Sequence, residues 1–92
     1  MNKRIKIIAT GVVSENPILR PLEKNRFYSW FPLYVTERSD MKTNYSVFAW
    51  NSTALFIDLE VKAGGKIRVK GYINPKKHIQ FVLSTLMYCQ HN

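Results

Sequence analysis

Along most of this chain apolar and polar residues alternate with a period of two, the spacing of a β-strand that buries one face. Arg4 to Val13, rich in Ile and Val, reads as a first strand, with a bend or bulge at Gly11. Arg26 to Thr36 reads as a second. Phe27, Phe31, Leu33 and Val35 fall on one of its faces, and Tyr28, Trp30 and Tyr34 on the other. Pro32 cannot donate to a ladder, so this strand is expected at an edge or bulged there. Asn44 to Trp50 reads as a third strand, with Tyr45, Val47 and Ala49 opposite Asn44, Ser46, Phe48 and Trp50. In Lys66 to Ile73 the alternation is clearest: Ile67, Val69 and Ile73 face one way, Arg68, Lys70 and Tyr72 the other. His78 to Met87 supplies a last strand.

The segments between these strands read as loops and one helix. Ser14 to Asn25 is a polar loop punctuated by Pro17 and Pro21, Glu37 to Thr43 is another, and Asn74 to Lys77 is a turn. Ser52 is placed to cap a short helix that runs to about Lys62 and is ended by Gly64-Gly65. Three strands, a helix and two strands is the order of an all-β, five-stranded Greek-key barrel, the OB fold, with its helix between strands three and four. In that fold oligonucleotides lie across strands two and three, bordered by the loops after strands one and four. With 92 residues and no linker, repeat or low-complexity segment, residues 1–92 are expected to form a single domain. A core this small gains from oligomerisation.

Charge adds a partner class. Fourteen Lys/Arg against six Asp/Glu give +8. The cations are spread over the chain, at Lys3, Arg4 and Lys6, at Arg20, Lys24 and Arg26, from Lys62 to Lys70, and at Lys76 and Lys77. A solvated tail would collect them at one end. A dispersed excess on a folded domain serves solubility, and it also sets up a positive field that draws polyanions such as nucleic acid or an anionic membrane. No stretch is long enough to span a membrane, and the run Ile7–Ala9 is too short for the apolar region of a signal peptide. Cys89 is the one cysteine, so no internal disulfide forms and a reducing, cytoplasmic setting is expected.

The outward positions carry the chemistry. Tyr28, Trp30 and Tyr34 come from the second strand, Phe48 and Trp50 from the third, and Arg68, Lys70 and Tyr72 from the fourth. Aromatic rings on a solvent face call for a partner. Unpaired bases stack on such rings while cations track the phosphates, whereas a duplex hides its base faces. Trp50 and Trp30 lead this set; Tyr72 and Phe48 follow, because aromatics at strand ends often cover a barrel rim. The same rings would also serve a subunit or protein-partner interface, and nothing in the surface separates DNA from RNA. No catalytic, metal or cofactor site is expected. There is no phosphate loop, since Gly64-Gly65-Lys66 reads as a helix-ending turn. His78, Cys89 and His91 are too few and too scattered for a metal, and Asp58 and Glu60 read as the solvated face of the helix.

The motif order resembles that of the bacterial single-stranded DNA-binding protein (SSB) family over roughly residues 5 to 85. Gly11-Val12-Val13 leading to Asn16-Pro17-Ile18-Leu19-Arg20 is similar to the family's first-strand signature, with Asn16 where Asp is usual. Phe31-x-Leu33-x-Val35, then Val47-Phe48-Ala49-Trp50, then Gly64 and Ile67-x-Val69-x-Gly71-x-Ile73 follow at the family's spacing. The resemblance implies that Trp50 is a stacking aromatic and that Lys76, Lys77 and His78 fall on positions holding basic residues and an aromatic. It makes Arg20 and Lys6 phosphate contacts. The family's aromatic early in strand three falls at Asn44 or Tyr45.

The sequence departs from the family in a short loop before strand three and in a tight turn between the last two strands, which shortens the expected DNA path. It stops at Asn92, without the family's acidic C-terminal tail. That is similar to primosomal replication protein N and to small SSB-like proteins of mobile elements. The resemblance therefore implies a homodimer that pairs along the first strand, with partners among replication proteins, and a role accessory to DNA replication, recombination or repair.

Overall fold

The computed structural model describes residues 5–36, 44–74 and 77–90. Six strands and one helix follow in the order β1 (Ile5–Val13), β2 (Ile18–Leu22), β3 (Arg26–Val35), β4 (Asn44–Trp50), α1 (Asn51–Glu60), β5 (Lys66–Asn74) and β6 (Lys77–Gln90). They form one sheet in the order β1-β5-β6-β4-β3-β2. β1 also pairs with β3 through Gly11↔Val35, Val12↔Tyr34 and Val13↔Leu33. That pairing closes five strands into a barrel and leaves β2 outside it, attached to β3. β4 and β6 run parallel and every other pair is antiparallel. This is the OB barrel expected from the strand order.

Alternation places the core as the sequence implied. Phe31, Leu33 and Val35 of β3 point inward with Tyr45, Val47 and Ala49 of β4, and meet Ala9 and Val13, Ile67 and Val69, and Phe81 and Leu83. Ala54 and Ile57 of α1, with Val61 behind them, plug one end of the barrel. Tyr45 packs edge-on against Phe81, with ring centroids 6.0 Å apart. On the solvent side of α1, Leu55, Phe56 and Leu59 stay exposed.

Several expectations need correction. The segment 14–25 is not a plain loop, because Ile18–Leu22 forms β2 and pairs with β3 from Ile18↔Trp30 to Leu22↔Arg26. Pro21 is tolerated there because β2 is an edge strand. Lys24 and Asn25, both left-handed (φ 57° and 60°), turn the chain between the two strands. The added strand also puts the helix between β4 and β5 rather than between the third and fourth strands. β3 is neither an edge nor bulged at Pro32. The Pro32 carbonyl accepts from the Ser14 N–H at 3.1 Å, on the side away from β4. The missing N–H points the same way, into the gap where β3 changes partner from β2 to β1.

Gly11 makes no bulge either, since Thr10↔Arg68, Gly11↔Ile67 and Val12↔Lys66 run in register. It is needed because a Cβ there would lie 2.1 Å from the Tyr34 carbonyl oxygen, at the barrel's closure.

At the start of α1 Ser52 is not the cap. Trp50 takes that position and no side chain caps the helix. Asn51, left-handed at φ 54°, directs its Oδ1 instead to the Phe27 N–H at 3.3 Å. The helix ends at Glu60 rather than near Lys62. The turn that follows is tied to β1 and the segment after it: the Gly64 N–H donates to Val13 O, the Val13 N–H to Gly65 O, and the Ala63 N–H to Asn16 Oδ1 at 2.8 Å. β6 runs to Gln90, beyond the expected Met87. Three register shifts against β5 let this 14-residue strand coil around the barrel. Arg4, the loop 37–43 and the turn residues Pro75 and Lys76 lie outside the described residues.

Candidate functional site

The outer faces of β2, β3 and β4 carry one continuous set of side chains because their registers align. Ile18 lies beside Trp30, which lies beside Phe48. One row along, Arg20 lies beside Tyr28, which lies beside Trp50. Strand neighbours are about 4.8 Å apart and successive outward residues about 7 Å apart, so these six side chains share a patch on the order of 10 Å on a side. Phe48 and Trp50 stack loosely, with centroids 6.2 Å apart and planes 26° from parallel. Trp50 is 43% exposed at the end of β4, while Trp30 is half-buried at the centre of the patch. Tyr34, 47% exposed, extends the same face of β3 beyond Pro32 and pairs with Asn44.

A cavity of about 320 Å³ opens between these rows, lined by Ile18, Arg20, Tyr28, Trp30 and Phe48. The β2–β3 hairpin makes it, since β2 supplies the wall that stands beside the face of β3. Among the described residues Arg20 has no hydrogen-bond or ion-pair partner, so its guanidinium donors are open at the rim.

The remaining expected contacts are distributed around the barrel. The row Ile18–Trp30–Phe48 continues through Val82 of β6 to Tyr72 of β5 and Lys6 of β1. Arg68 and Lys70 follow Tyr72 on the outer face of β5, which lies across the barrel from the β3–β4 pair. Arg68 is engaged, donating its Nε–H to Thr10 Oγ1 at 2.9 Å. The structure therefore brings together Trp50, Trp30, Tyr28, Phe48 and Arg20, with Tyr34 alongside. Tyr72, Lys6, Lys70 and Arg68 sit on another flank, which a bound strand reaches only by passing round the wall. Lys77 and His78 open β6, and Lys76 lies outside the described residues.

Of the two positions for an early strand aromatic, Tyr45 is spent in the core, and Asn44 is the outward residue. Sequence reasoning missed Ile18. Its signal was the weak alternation Ile18, Arg20, Leu22 leading into Glu23-Lys24-Asn25, masked by Pro21.

Among the described residues no three His, Cys, Asp or Glu side chains stand together as metal ligands. Cys89, whose Sγ lies 3.4 Å from the Glu60 carbonyl oxygen, has its thiol pKa raised, first by burial and then by the Glu60 charge.

No protein-family model and no curated protein matches the chain. Solved structures do. The SSB domain of a Synechococcus protein superposes with a TM-score of 0.72 at 18% identity, over 99% of this chain and 96% of that one. The small single-stranded DNA-binding protein of Streptomyces coelicolor gives 0.71 at 21% identity, over 98% and 94%. A mitochondrial single-stranded DNA-binding protein of S. cerevisiae gives 0.75 at 15%, over 98% and 99%. At these identities the likeness is one of fold, and it extends over nearly the whole length of each partner.

Proposed function

We propose that this protein binds single-stranded DNA without sequence preference and performs no catalysis of its own. The observation that carries the proposal is the patch of Tyr28, Trp30, Phe48 and Trp50 with the open Arg20 guanidinium beside it. Rings on a convex sheet face offer stacking surfaces to unpaired bases, and the net charge of +8 supplies the phosphate attraction. The structural neighbours, named as single-stranded DNA-binding proteins, support the same reading. A role accessory to DNA replication, recombination or repair follows from it.

A homodimer along β1 belongs to the proposal. β1 pairs with β5 from Ile5 to Val12 but with β3 only from Gly11 to Val13. Its other edge from Ile5 to Ala9 therefore has no ladder partner among the described residues, and Ile5 and Ile8 are exposed on it. A mass of two chains by light scattering is expected; a single-chain mass at micromolar concentration refutes this part.

The function is tested by titrating the protein into fluorescent oligo-dT at two salt concentrations, with duplex DNA and poly-U as competitors. Binding that weakens steeply with salt and is poorly displaced by duplex is expected. Displacement by poly-U at equal concentration would move the assignment to RNA. Absence of binding at both salts would reassign the patch to a protein partner.

A further inference from the structure

The cavity beside Trp30 differs from the open face around Trp50. We infer, resting on the single-strand reading above, that it is a socket for one unstacked nucleobase and that Arg20 at its rim holds an adjoining phosphate. The strand would then be anchored at one nucleotide and stacked on the open sheet elsewhere. Four observations lead there.

The volume of about 320 Å³ stands at the low end of the range for small-molecule sites, about 300–1,000 Å³, which suits one planar base with part of its sugar. The lining is apolar and aromatic on Ile18, Trp30 and Phe48, as a flat, weakly hydrated ring requires. Its charged group is a guanidinium, whose planar fork matches a phosphate in two hydrogen bonds and whose donors are uncommitted among the described residues. Trp30 is already held between its cross-strand neighbours Ile18 and Phe48, so little ordering is left for the moment of binding. Besides Arg20, the polar side-chain groups on this lining are the Tyr28 hydroxyl and the Trp30 indole N–H, too few to read a base edge, so the socket accepts any of the four bases.

The test is an abasic scan. The shortest oligo-dT that binds with full affinity is made with a single abasic nucleotide moved position by position. Each oligonucleotide is titrated against the native protein, Ile18→Trp and Arg20→Gln. Ile18 is 40% exposed on an edge strand, so an indole there fills the cavity without entering the barrel core. Ile18→Phe is the smaller fill should the larger one lower the melting temperature.

With the native protein, an abasic nucleotide in the anchor position is expected to weaken binding about tenfold, within about 5- to 150-fold. In Ile18→Trp that dip disappears while the dips due to stacking on Trp50 remain. Arg20→Gln weakens every oligonucleotide and flattens the salt dependence by about 0.7 in log–log slope. If the oligonucleotide binds and the scan has the same profile in native protein and filled variants, the socket is refuted and the stacking face stands. If native protein does not bind the unmodified oligonucleotide, both fall.

Discussion

Replacing Trp50 with Ala separates binding from folding more cleanly than any other change at the patch. The indole is 43% exposed at the end of β4 and stacks loosely on Phe48. Losing that stack and the partial burial costs about 1–2 kcal/mol of stability. A 92-residue domain is stable by about 5–14 kcal/mol, so at least about 3 kcal/mol remains and more than about 99% of the variant stays folded. A change in affinity can then be assigned to the interface. One base stacked on an aromatic ring is worth about 1–3 kcal/mol, so Kd for oligo-dT should rise about 5- to 150-fold. The assay is fluorescence anisotropy at fixed salt, with circular dichroism and a thermal melt as the folding control. Because Phe48 and Trp50 touch, the double variant should cost less than the sum of the two single changes. A folded Trp50→Ala protein with unchanged Kd would remove Trp50 from the site and refute the stacking geometry.

Three further outcomes follow from the fold. Gly11→Ala should destabilise by about 2–4 kcal/mol in urea unfolding, since its Cβ meets the Tyr34 backbone at 2.1 Å and pushes apart the three residue pairs that close the barrel; an unchanged midpoint would contradict this. Ser29→Ala should stabilise by about 1 kcal/mol and raise Tm by about 4–8 °C, because the Ser29 hydroxyl is buried without a hydrogen-bond partner; a lower Tm would mean the hydroxyl is satisfied. Cys89, its thiol pKa raised by burial and by Glu60, should be alkylated more slowly at pH 8 than in urea. The folded protein holds that proton longer than the unfolded chain. The associated stability is therefore intact below the ordinary thiol range and declines as pH rises through it; equal alkylation rates would refute the burial.

The faces of β3 and β4 could be read from the sequence because inward and outward residues differ in kind. Phe31, Leu33, Val47 and Ala49 stand against Trp30, Tyr34, Phe48 and Trp50, and a period of two leaves no other arrangement. β2 could not be read. Pro21 masks its weak alternation, and it exists through pairing with β3, a tertiary effect. The cavity was hidden with it, since only the hairpin register sets Ile18 beside Trp30. Ser52 looked like a helix cap by residue type, but the preceding Asn51 turns left-handed, its side chain serves Phe27, and no side chain caps the helix. Arg68 and Lys70 were rightly outward, yet outward from a closed barrel covers every direction around it. Which flank they occupy depends on strand order, which alternation does not encode.

The chain has two tryptophans, Trp30 and Trp50, and both lie on the proposed face. Intrinsic tryptophan emission therefore reports on that face alone. Titrating oligo-dT into the protein while following both tryptophan emission and the anisotropy of a label on the DNA shows whether the strand lies across the two indoles. Quenching of tryptophan emission that saturates together with the anisotropy, and is absent with duplex DNA, is the expected result. Saturating anisotropy with unchanged tryptophan emission would show that the strand binds another surface and would refute the β2–β4 face as the binding site.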